Sequence, residues 1–72
     1  MFIVIEMQEN AAGKVSHIVT DHATEAEAES KFHSILSYAA VSDVPIHSAC
    51  VLTSDGFLRR SQCYKHQASE ED

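Results

Sequence analysis

Residues 24–40 hold the one stretch of this chain whose apolar residues recur at helical spacing. Ala28, Phe32, Ile35, Leu36 and Ala39 lie three or four apart, which stacks them on one helix face. Ser30, His33, Ser34 and Ser37 fall on or near the other side. Thr24 and Glu27 fit a capping box, in which the threonine hydroxyl accepts from the third helical amide and the glutamate reaches back. Glu25, Glu27 and Glu29 suit the positive end of the helix dipole. The pattern fades after Ala40, and Pro45 bars continuation. A chain with one helix has one apolar helix face to offer, and the flanking segments are patterned as strands.

Residues 2–9 read as a strand, with Phe2, Ile3, Val4 and Ile5 as a nearly continuous apolar run. Asn10-Ala11-Ala12-Gly13 reads as a turn, and residues 14–20 as a second strand, with Val15 and Val19 on one face and Ile18 on the other. Residues 46–54 and 57–66 read as strands three and four, joined at Asp55-Gly56. A three-residue loop, Ser54-Asp55-Gly56 with Gly56 left-handed, sets Thr53 opposite Phe57 and Leu52 opposite Leu58. The same register sets His47 opposite Cys63.

The expectation is therefore an α+β fold of order ββαββ: a four-stranded, mostly antiparallel sheet with one helix packed on one face. Residues 1–66 form a single α+β domain and 67–72 an acidic C-terminal tail. Phe2 and Val4 point to one side of the sheet, and Ile3, Ile5 and Met7 to the other. One helix cannot cover both. A second copy, sheet against sheet or edge to edge, is the simplest cover, so the expected partner is the chain itself, as a homodimer or higher oligomer. Size points the same way, because a domain of 72 residues has a thin core.

The formal net charge of −6 disfavours a general nucleic-acid binder, whose affinity rests on neutralising phosphates. The apolar start, Met-Phe-Ile-Val-Ile-Glu, lacks the basic region and cleavage site of a signal peptide. No segment approaches the roughly 20 apolar residues of a membrane span. The expected compartment is the cytoplasm, where Cys50 and Cys63 are free thiols.

Five histidines stand at 17, 22, 33, 47 and 66, without the paired-cysteine or one-turn-apart spacing that metal sites use. Glu29 and His33 are spaced as an i, i+4 helix pair. His47 and His66 each stand three positions from a cysteine, so on a strand neither faces its near neighbour. A His47–Cys63 pair across the hairpin would lower the thiol pKa, yet cysteine as a small buried hydrophobe is the commoner use. Gly13 and Gly56 both sit in turns, so no phosphate loop exists. No catalytic residues, metal or cofactor are expected. The candidate ligand site is Arg59, Arg60, Tyr64, Lys65 and His66 on the last strand. Arginine forks bind phosphate or carboxylate in pairs of bonds, and Tyr64 offers a stacking surface. Charged protection of a sheet edge is the commoner use of such residues and is favoured over a ligand site.

Ala26-Glu27-Ala28-Glu29-Ser30-Lys31-Phe32-His33, then Ala39-Ala40-Val41-Ser42, and later Gln62-Cys63-Tyr64-Lys65-His66 carry a resemblance. Across residues 2–66 the chain resembles a group of small uncharacterised proteins of gut Firmicutes and their phages. The resemblance implies a phage or mobile-element accessory factor that counters host defence by stoichiometric binding, sequestering a nucleotide signal or blocking a defence protein. The residues themselves leave three readings open: a non-catalytic binding module for an anionic small molecule or a host protein, a small Cys/His enzyme, and an assembly subunit without ligand.

Overall fold

The computed structural model describes residues 1–66, so the acidic tail at 67–72 lies outside the described residues. Its elements are β1 (Phe2–Glu9), β2 (Val15–His22), α1 (Glu25–Val41), β3 (Ile46–Thr53) and β4 (Leu58–Lys65). The strands form one antiparallel sheet in the order β2-β1-β3-β4. The ββαββ expectation stands, with each boundary within two residues of its sequence-based position.

Each connection has a local cause. Asn10 turns the first hairpin: its side-chain oxygen accepts from the Ala12 and Lys14 amides, both at 2.9 Å. Gly13 closes that turn at φ +85°. Thr24 caps α1, its hydroxyl accepting from the Glu27 amide at 3.2 Å. The reciprocal arm from Glu27 does not appear among the hydrogen bonds of the described residues. The helix stops at Ser42, whose hydroxyl accepts from the Val44 amide at 3.0 Å, just before Pro45. Gly56 sits at φ +96°, as the three-residue loop requires, and the Thr53 amide donates to the Phe57 carbonyl at 2.8 Å.

The helix lies mainly over the two central strands. Val4, Ala49 and Val51 from the sheet meet Ala28, Phe32 and Ile35 from the helix, with Phe2 and Leu36 packed at the margin. Ala39 is buried as well, so every residue assigned to the apolar helix face is covered at least in part. The core is confined to one face of the sheet.

Below its turn, the second hairpin departs from the expected register. Leu52 faces Leu58 as expected, but Val51 faces Arg60, because the pairing shifts between Val51 and Leu52. Arg59 is the extra residue of a β-bulge. The shift carries through the rest of the strand: His47 faces Tyr64, and Cys63 faces Ser48. The expected His47–Cys63 pairing is thus replaced, and the two residues stand on opposite faces of the sheet.

Candidate functional site

The bulge also decides where the two arginines go. Neighbours on a regular strand point to opposite faces. At this bulge, Arg59 and Arg60 both reach the helix side. Arg59 Nη2 donates to Glu25 Oε2 at 2.5 Å, and Arg60 Nε donates to Glu29 Oε2 at 2.8 Å. Glu29 also meets His33 Nε2 at 3.5 Å, which realises the i, i+4 spacing. Both arginines are about half exposed, so each pair contributes only a few tenths of a kcal/mol. Their effect on recognition is larger: an incoming anion must displace two carboxylates.

The remaining candidate residues lie elsewhere. Tyr64 and His66 stack with ring centroids 6.3 Å apart and planes within 4°. His66 is held at both ends of the residue, its amide donating to the Pro45 carbonyl at 2.7 Å and Nε2 meeting the Ala39 carbonyl at 2.8 Å. Ala39 belongs to the last turn of α1, which carries no basic residue of its own. His66 therefore serves as a side-chain cap for the end of the helix. Lys65 pairs with Ile46 and sits on the face away from the helix. The five residues form two clusters on one side, at the start and end of α1, and a lysine on the other side.

The cysteines differ in environment. Cys63 is exposed, contrary to its reading as a buried hydrophobe, because β4 is an edge strand on the uncovered side. Among the described residues its side chain makes one weak contact, from Sγ to the Tyr64 carbonyl at 3.9 Å. Cys50 is half-buried. Burial pushes its thiol above the ordinary value of 9.0, against a backbone hydrogen bond with Ile5 that pulls it down. For Cys50, that rise disfavours the thiolate, the reactive form.

A polar cluster under the helix escaped the sequence reading. His47 is 4% exposed, and its Nε2 meets Glu6 Oε2 at 2.7 Å. Gln8 Nε2 donates to the same oxygen at 3.1 Å. His47 Nδ1 is buried with no partner among the described residues. The available signal was the alternation His47, Ala49, Val51, which places the histidine in phase with core residues. Next to this cluster, Gln8, Asn10, Lys14, Ser16 and Val44 line a shallow depression of about 290 Å³. Among the described residues no three His, Cys, Asp or Glu side chains converge as metal ligands.

Among the described residues, nothing covers the sheet face opposite the helix. Ile3, Ile5, Met7 and Leu52 are only half-buried there, Val19 is 54% exposed and Leu58 60%. No helix among the described residues is long and apolar enough to cross a membrane. Searches for a matching family model, a matching curated protein and a matching solved structure find none, so the site rests on its own geometry.

Proposed function

We propose that this chain is a non-catalytic, homo-oligomeric binding module that acts by occupying another protein. The observation that carries the homo-oligomeric part of this reading is the sheet face opposite the helix, where Ile3, Ile5, Met7, Val19, Leu52 and Leu58 form an apolar surface uncovered among the described residues. Contiguous apolar patches of this kind mark association sites. A cytoplasmic setting suits it, since both thiols are free. The resemblance noted above fits a phage or mobile-element accessory factor of this kind, one that blocks a host defence protein. Light scattering at micromolar concentration tests the reading: a dimer or larger species is expected, and a monomer overturns it.

Capture of an anionic small molecule such as a signalling nucleotide is the second reading. The bulge that brings Arg59 and Arg60 to one face supports it. The glutamates bound to both arginines weigh against it. A thermal-shift screen with nucleotides separates the two readings. A ligand-induced rise that Arg60→Glu abolishes favours capture, and no shift favours protein binding.

A further inference from the structure

The register places four charged or ionisable residues on the open face. Asp21 stands at one corner, on edge strand β2, beside Ile3. Lys65 stands at the diagonally opposite corner, on edge strand β4, beside Ile46. Glu9 lies at the end of β1, next to Ile46, and His17 lies on β2, next to Met7. Strands about 4.8 Å apart, with same-face residues about 6.7 Å apart along each, make this array about 14 by 20 Å between outermost residues. With side-chain margins, that is about 500 Å² per copy and about 1,000 Å² for two, the lower bound for a specific interface.

We propose that the open face is covered by the same face of a second copy, with the two sets of strands crossing near a right angle. In that arrangement Asp21 meets Lys65 of the partner subunit. The inference rests on the homo-oligomeric reading above and specifies its geometry. A face-to-face dimer with two-fold symmetry can place its axis in four simple ways. An axis along the strands sets Asp21 against the partner's Leu58, Lys65 against the partner's Val15 and Glu9 against the partner's Ile46. An axis across the strands sets Glu9 on the partner's Ile3, and again gives neither Asp21 nor Lys65 a counter-charge. The diagonal through Asp21 and Lys65 brings each against its own copy, like charge on like.

The other diagonal alone pairs opposite charges. It brings Asp21 to within about 4 Å, laterally, of the partner's Lys65, and Glu9 to a similar offset from the partner's His17. Symmetry makes each pairing twice. It also places Cys50 and Met7 on the axis, each against its own counterpart, so the middle of the interface is free of charge. Near-orthogonal crossing is one of the two established ways that sheets pack. The face is thus complementary to itself in charge as well as in apolar character, which is the argument for a second copy as its occupant.

Charge reversal at the two corners tests the arrangement. Asp21 and Lys65 are both exposed, and neither makes an ion pair with the described residues, so Asp21→Lys and Lys65→Asp leave the core untouched. Circular dichroism verifies that each variant folds. Each single reversal creates two like-charge contacts per dimer and is expected to weaken dimerisation on the order of tenfold. The double reversal is expected to restore it. An equimolar mixture of the two single variants should form a heterodimer in preference to either homodimer, with both contacts attractive. Within one chain the corners are about 25 Å apart, beyond the screening length of about 10 Å, so rescue cannot be intramolecular. A wild-type dimer without rescue or heterodimer preference overturns this geometry and leaves the oligomeric reading standing. A wild-type monomer overturns both.

Discussion

His47 is buried with one ring nitrogen satisfied and the other without a partner among the described residues. The Glu6 carboxylate can only accept, so Nε2 donates to it. Removing the one partner leaves the whole ring unsatisfied. Glu6→Ala is therefore expected to cost about 1–3 kcal/mol in a urea melt, while Glu6→Gln, which keeps an accepting oxygen, should cost clearly less. Cys50 gives the chain an alkaline limit. Its folded thiol holds the proton more tightly than the unfolded one, burial being the larger cause. Below pH 9 both states are protonated and nothing is lost. As pH rises past that value the unfolded thiol ionises first, so stability falls until the folded thiol ionises too. Cys50→Ala should flatten that part of the pH–stability curve relative to wild type, and Cys63, being exposed, should alkylate faster than Cys50.

At the scale of elements, α1 and β4 are tied at both ends: Glu25 and Glu29 to Arg59 and Arg60, and Ala39 to His66. The combined change Glu25→Gln, Glu29→Gln releases both arginines from their counter-charges. If they form an anion site, affinity for a phosphate probe should rise, as calorimetry would read; if they only fasten the edge strand, affinity stays absent. Thr24→Ala should cost about 1 kcal/mol through loss of the Thr24–Glu27 cap bond. Phe32→Ala should cost about 3–5 kcal/mol, enough to unfold so thin a core. These elements are legible in the sequence, because helical spacing, a capping threonine and turn residues are local signals. The bulge is not. Arg59-Arg60 carries no glycine or turn signal, and the shift shows only in the pairing of Val51 with Arg60. His47 was hidden for a related reason, since its burial depends on Glu6, brought alongside by β1 pairing with β3.

For the whole molecule, the proposed completion of the fold by a second copy would make stability depend on concentration. The melting temperature should therefore rise with protein concentration over the micromolar range, and a flat profile would count against association. The sheet order β2-β1-β3-β4 puts the first strand of each hairpin at the centre and leaves β2 and β4 as edges. The candidate site was half legible: the arginines do sit together, but Lys65 lies on the far face, where face assignment depended on the register. That register carries slack. Because the bulge holds one residue more than the ladder needs, loss of a single codon at position 59, 60 or 61 removes the bulge and leaves the pairing from Gln62 to Lys65 as it was. An insertion there has no such reserve. Descendants of this chain are therefore free to shorten β4 by one residue in a single step, and in doing so to rewrite its arginine pair while keeping the lower half of its sheet.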